Sequence, residues 1–164
     1  MLGSDLVMYE EEFKKIDGEL QRLLQQANAK VVFLVDKNGQ LIAATGETEN
    51  LDTTSLASLT AGNIAATGGM AKLLGEKEFS ILFHEGARDN IHISIIGQRV
   101  ILVVIFDQRS SLGLVRLRVK KSAETFASIF NQLLQKVETE KGPGKGTESP
   151  FAEITDEDID KLFG

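Results

Sequence analysis

Two histidines, His84 and His92, are the side chains in this 164-residue chain best suited to proton transfer near neutral pH or to metal binding. Neither has a second histidine or a cysteine at ligand spacing, and each falls in one of two adjacent strand-like segments. They read as ordinary strand or turn residues. The serines, among them Ser55, Ser58, Ser110 and Ser111, lack the G-x-S-x-G setting that exposes a nucleophile at a strand-to-helix turn. Gly68-Gly69 and Gly142-Pro143-Gly144-Lys145-Gly146 lack the spacing and the strand–helix context of a phosphate-binding loop. No two carboxylates stand out as an acid/base pair. The residue types therefore predict no catalytic site, no metal site and no cofactor.

What remains is chemistry of recognition. Arg109, Arg116, Arg118, Lys120 and Lys121 cluster where a long helix should begin. Such a cluster is either a solvated face or a surface that meets and steers an acidic partner. The opposite charge is concentrated at the C-terminus. Of the net −6, residues 148–164 carry −5, from six carboxylates against Lys161, which leaves the rest of the chain at −1. There is no concentrated basic footprint of the kind a general nucleic-acid binder needs.

Within that tail, Thr155-Asp156-Glu157-Asp158 matches a capping box with Asp in the usual Glu position, and Ile154 is placed to staple onto Ile159. The resulting helix is too short to be stable alone in water. Phe151, Ile154, Ile159, Leu162 and Phe163 would give it an apolar face with nothing to bury it. A frayed acidic end and a motif that folds into a partner's groove both fit, and the second is the expectation carried forward.

A second candidate surface lies between Leu51 and Leu74, a segment read as a helix rich in small residues with Asp52 as its N-cap. Ala57, Ala61, Ala65 and Gly69 recur every four residues, with Ser58, Gly62 and Ala66 beside them. Gly62, Gly68 and Gly69 each cost roughly 1 kcal/mol of helix stability relative to Ala, so close packing is expected to compensate. That packing is either onto the chain's own sheet or against another body.

The elements that must position these residues follow from periodicity. Residues 8–26 form an amphipathic helix with Phe13, Ile16, Leu20, Leu23 and Leu24 on one face. Val31-Val32-Phe33-Leu34-Val35 is a strand covered on both sides, and Asn38-Gly39 turns it into a second strand over 40–45. Beyond the small-residue helix come strands over 78–84, 90–96 and 99–106. The last, apolar without interruption over 100–106, should be central. A final helix from Ser110 or Ser111 carries the stripe Leu112, Val115, Val119, Phe126, Ile129, Phe130, Leu133 and Val137. The order α-β-β-α-β-β-β-α implies an α+β domain, a five-stranded antiparallel sheet between helices on both faces, over residues 1–140. A flexible linker over 141–149 and an acidic helical motif over 150–164 should follow.

Composition agrees with a soluble globular domain: 42% hydrophobic, 26% charged and no cysteine. No apolar run is long enough to cross a bilayer, so membrane insertion is not expected. The first residues lack the basic and apolar regions of a signal peptide, and a cytoplasmic location is comfortable.

The segments Val7-Met8-Tyr9-Glu10-Glu11-Glu12-Phe13, Ala27-Asn28-Ala29-Lys30, Asp36-Lys37-Asn38-Gly39-Gln40-Leu41 and Asp52 through Asn63 carry a likeness beyond the element order. So do Phe83-His84-Glu85-Gly86-Ala87, the run Ser110 through Arg118, and Ser149-Pro150-Phe151-Ala152-Glu153-Ile154. Together they resemble the roadblock/LC7 family, in its branch of bacterial polarity regulators. This resemblance implies a homodimer that binds a Ras-like small GTPase of the MglA type and accelerates GTP hydrolysis in cell polarity and motility. It implies no catalytic residue from this chain, a cytoplasmic protein able to concentrate at a cell pole, and a C-terminal helix that docks on the GTPase. Partner contacts are expected at Ala61, Ala65, Gly69, Phe151, Ile154, Ile159, Leu162 and Phe163. Self-contacts are expected at Ser58, Gly62, Ala66, Phe79 and Ile81. A non-catalytic scaffold for a protein assembly is the alternative that the family also allows.

Overall fold

The computed structural model describes residues 2–97 and 99–141; the expected linker and tail lie outside them. Three helices and five strands follow the expected order: α1 (Leu2–Gln26), β1 (Val31–Asp36), β2 (Leu41–Gly46), α2 (Thr53–Leu74), β3 (Ile81–Glu85), β4 (Asn90–Ile96), β5 (Val100–Phe106) and α3 (Leu112–Lys141). The strands form one sheet in the order β2-β1-β5-β4-β3, antiparallel throughout. β1 and β5, the two uninterrupted apolar runs, are its interior neighbours and every residue in them is buried.

Period-two alternation assigns their side chains to two cores. Val32, Leu34, Leu102, Val104 and Phe106 face α1 and α3, whereas Val31, Phe33, Val35, Ile101, Val103 and Ile105 face α2. α1 and α3 lie side by side and antiparallel, their stripes Ile16, Leu20, Leu23 and Val119, Phe126, Leu133 meeting over the sheet. Phe13, expected in the α1 stripe, is 41% exposed. The buried line runs instead through Glu12, Ile16, Glu19 and Leu23, because α3 supplies partners for both carboxylates. Lys136 Nζ donates to Glu12 at 2.7 Å and Ser122 Oγ to Glu19 at 2.7 Å.

The first hairpin departs from a two-residue turn. Gly39 is at φ 91° but Asn38 is not in the left-handed region, and the register slips between Leu34 and Val35. The buried Asp36 carboxylate organises the turn, its Oδ1 accepting from the Asn38 and Gln40 backbone N–H groups, both at 2.9 Å. α3 begins where Ser111 Oγ accepts from the Leu114 N–H at 3.2 Å, and the preceding Ser110 hydroxyl donates to the Ala27 carbonyl, tying the start of α3 to the end of α1.

Candidate partner-binding surface

α2 is apolar on average, with little difference in polarity between its sides, yet only one side of it lies on the sheet. A helix of that kind is normally buried all round. Its ends are well made. The Asp52 carboxylate accepts from the Ser55 hydroxyl at 2.6 Å and from the Ser55 N–H at 3.0 Å. Those bonds, the hydroxyl's foremost, hold the Asp52 carboxyl below its ordinary range. At the other end Gly75, at φ 80°, returns its N–H to the Lys72 carbonyl.

Ala57, Thr60, Ala61 and Ala71 are buried against the sheet side, with Leu56 and Ile64 packed beside them. Ser58, Leu59, Gly62, Ala65, Ala66, Gly69, Met70 and Leu73 are exposed on the other. The expected single ridge is therefore divided. An i+4 row drifts about 40° per step, so Ala57 and Gly69 end about 120° apart. Ala65 and Gly69 face outward. Ala61 does not: it is 9% exposed and sits beside the β1–β2 turn, where a Cβ on Gly39 would come within 3.1 Å of the Ser58 Cα and 3.6 Å of the Ala61 Cβ. In the single chain Ala61 is a packing residue, which corrects its assignment as an open partner contact.

Packing on the chain's own sheet does not account for the glycines either. A Cβ added at Gly62, Gly68 or Gly69 meets nothing within 4 Å. Around them stands a group of large side chains not anticipated from the residues. Leu59 is 70% exposed, Met70 57% and Leu73 89%. Leu59, Gly62, Ala66, Met70 and Leu73 follow i+3/i+4 spacing, so the signal for an apolar outer stripe was present in the sequence. Beneath α2 a cavity of about 110 Å³ opens between Leu56, Leu59, Thr60 and the β3–β5 side of the sheet, His84 and Ile93 included.

β3 is an edge strand that begins at Ile81, later than the expected start at residue 78, and Phe79 lies before it. Leu82 packs on the α2 side of the sheet, and Phe83 stacks on Phe106 on the α3 side with ring centroids 6.1 Å apart. By alternation Ile81, half exposed, shares the α3 side with Phe83, so it and the outer stripe of α2 lie on opposite faces of the sheet. Asn63 Nδ2 and His84 Nε2, 3.2 Å apart, link α2 to β3.

Among the described residues no group of three or more His, Cys, Asp or Glu side chains could hold a metal ion. His92 is buried with neither ring nitrogen hydrogen-bonded, and burial foremost, with the Arg116 charge second, lowers its pKa. Of the basic cluster, Arg109 is occupied within the chain. Its guanidinium bonds both Asp107 oxygens and reaches Glu47 at 2.9 Å, holding Asp107 at a pKa of about 2. Arg116, Lys120 and Lys121 remain exposed on α3. No described helix is long and apolar enough to cross a membrane. The expected contacts Phe151, Ile154, Ile159, Leu162 and Phe163 lie outside the described residues.

Comparison with known proteins bears on this surface. Residues 15–106 match the Roadblock/LC7 domain model. The structure is similar to Myxococcus xanthus MglB, with 65% identity, coverage of 76% of this chain and 94% of that one, and a TM-score of 0.73. It is also similar to the gliding protein MglB of Thermus thermophilus, at 31% identity, 74% and 92% coverage and a TM-score of 0.71. A further MglB structure, described as having a tetrameric arrangement, matches at 31% identity over 74% of this chain and 91% of its own, with a TM-score of 0.70. No match is found among curated protein sequences.

Proposed function

We propose that this chain, which belongs to the Roadblock/LC7 domain family and within it is MglB-like, is a homodimeric activator of GTP hydrolysis by a Ras-like small GTPase of the MglA type. The name of the Thermus relative, a gliding protein, supports a role in bacterial motility and polarity. The protein would act in the cytoplasm, concentrated at a cell pole. It is a regulator with no active site of its own.

One observation carries this reading: α2 presents an apolar, glycine-containing face that none of the described residues covers, next to an unshared sheet edge. Two copies related by a two-fold axis would pair β3 with its twin and bring Ser58, Gly62 and Ala66 of each α2 together, with Phe79 and Ile81 at the joined edge. Ala65 and Gly69 would then offer a flat platform to the GTPase. Rate acceleration comes from reordering the GTPase's own switch segments and not from a donated arginine. The occupation of Arg109 by Asp107 and Glu47 supports that view. The C-terminal helix, through Phe151, Ile154, Ile159, Leu162 and Phe163, docks on the GTPase and modulates hydrolysis or exchange.

The test is phosphate release from a GTP-loaded partner of this type with and without the protein. Acceleration that survives Ala substitution of Arg88, Arg99, Arg109, Arg116 and Arg118 in turn is the expected result. A variant that binds but loses stimulation by about a thousandfold identifies an arginine finger and rejects the mechanism. Binding with an unchanged rate makes the protein a scaffold.

A further inference from the structure

α3 has an outer face that the fold does not use. Gly113, Arg116, Leu117, Lys120 and Lys121 are all exposed and fall at i, i+3, i+4, i+7 and i+8, one stripe on one side of the helix. Leu117, 51% exposed, stands among three cations, and the first acid on the face is Glu124, at its far end. Arg116, Lys120 and Lys121 have no ion-pair partner among the described residues. Three unneutralised cations around an exposed leucine on a nearly neutral domain call for an occupant that is acidic and apolar at once.

The chain carries such a segment. We propose that its own acidic tail, residues 148–164, folds back onto this stripe, with Glu153, Asp156, Glu157, Asp158 and Asp160 against Arg116, Lys120 and Lys121. An apolar residue of the tail, Ile159 or Leu162, covers Leu117. The stripe joins one charge sign with an apolar centre, and the tail joins the opposite sign with an apolar face.

The lengths agree. From Lys121 to Lys141 α3 rises about 30 Å, at 1.5 Å per residue. The chain from Lys141 to Phe151 can span about 33 Å when extended, enough to bring Phe151 back beside Lys121. A helix over 155–164 would then run about 15 Å, which covers the stripe from Lys121 to Gly113 antiparallel to α3. Same-chain docking also has a high effective concentration, so a modest intrinsic affinity suffices. A GTPase that takes the tail has to compete with the stripe for it. That consequence alone rests on the function proposed above; the docking itself does not.

Energy transfer within the full-length protein, with no partner present, tests the docking. The chain has no cysteine, so Gln108→Cys and Gly164→Cys place a dye before α3 and another at the tail end. Antiparallel docking brings them together. Transfer should be high at low salt and fall by about half near 0.5 M, where screening shortens to a few ångströms. It should also fall with Arg116→Glu plus Lys120→Glu, and with Asp156→Lys plus Asp158→Lys. Combining the two reversals should restore it. Should the α3 reversals disturb the helix, seen by circular dichroism, the tail reversals carry the test, because they leave α3 unaltered. Transfer unmoved by salt and by both reversals overturns the proposal. Loss of transfer on adding excess unlabelled protein also overturns it, by showing that the tail docks on another copy.

Discussion

The two faces of the sheet are finished to different degrees. On one, α1 and α3 cover β1, β5 and β4 together, and even two carboxylates lie within the seam with their partners supplied from the facing helix. On the other, a single helix covers the sheet, and its outer side keeps Leu59, Met70 and Leu73 in water beside Gly62 and Gly69, where an added Cβ would meet nothing within 4 Å. The first face is built to be stable and the second to be met. The same hydrophobic effect drives both, and what differs is whether the apolar surface finds its partner within the chain or outside it.

Truncating the finished face should produce the largest effect. Phe126 is fully buried between α1, α3 and the sheet, so Phe126→Ala should cost about 3–5 kcal/mol in denaturant unfolding. Leu73→Ser, a comparable loss of apolar surface on the outer side of α2, should leave the far-UV spectrum unchanged while shifting light scattering toward monomer. Should Leu73→Ser unfold the chain as Phe126→Ala does, the contrast between the faces is wrong. Ala65→Arg extends the test to the platform: it should abolish GTPase binding in a folded dimer. Normal binding would place the platform elsewhere.

A smaller effect is expected within the α1–α3 seam. Lys136→Met leaves the Glu12 carboxylate, 2% exposed, without its shortest contact. Removing a charged hydrogen-bond partner of a buried group should cost about 1–3 kcal/mol. Glu12→Gln in the same background should recover part of that loss, since it removes the stranded charge. If the double variant is no more stable than Lys136→Met alone, the buried charge is not what the lysine offsets.

The glycines of α2 separate stability from recognition. Gly62→Ala should stabilise an isolated protomer by about 1 kcal/mol, because the added Cβ meets open space and the helix gains propensity. The same change should weaken whichever assembly brings a second backbone close. A variant that is more stable and assembles or binds as well as before would mean that these glycines answer to no interface.

How legible this was from the residues differs in the same way. β1 and β5 could be read because burial on both faces erases alternation, and their centrality followed. The α1 stripe was misplaced at Phe13 because Glu12 and Glu19 look like surface residues until Lys136 and Ser122, over a hundred positions away, are seen opposite them. The hairpin at Asn38-Gly39 was legible from the dipeptide, but its loop geometry was not, because the buried Asp36 holds the loop through two backbone bonds. β3 begins later than its apolar pattern suggested, since an edge strand has only one neighbour to set its start. On α2 the small residues drew attention away from Leu59, Met70 and Leu73. A helix whose sides differ little in polarity gives no phase by which to tell the covered side from the open one.

The smallest expected effect is a pH dependence placed in the finished face. His92 projects from β4 toward the α3 side, with Phe83 and Val104 as its cross-strand neighbours, and Arg116 is the charged group that bears on it. Burial first and Arg116 second disfavour its imidazolium in the folded state. The unfolded chain therefore takes up a proton first as the pH falls through about 6.5. Stability contributed by His92 is thus complete above that pH and declines below it, with a slope of at most about 1.4 kcal/mol per pH unit from one site. His92→Gln removes the titration while keeping a polar side chain, so the fall in stability between pH 6.5 and 5 should become shallower. Arg116→Gln should leave the onset near pH 6.5 but make the decline level off at a higher pH, without abolishing it, because the larger cause, burial, stays in place. An unaltered slope in His92→Gln would assign the acid sensitivity to other groups and leave the two faces alike in their response to pH.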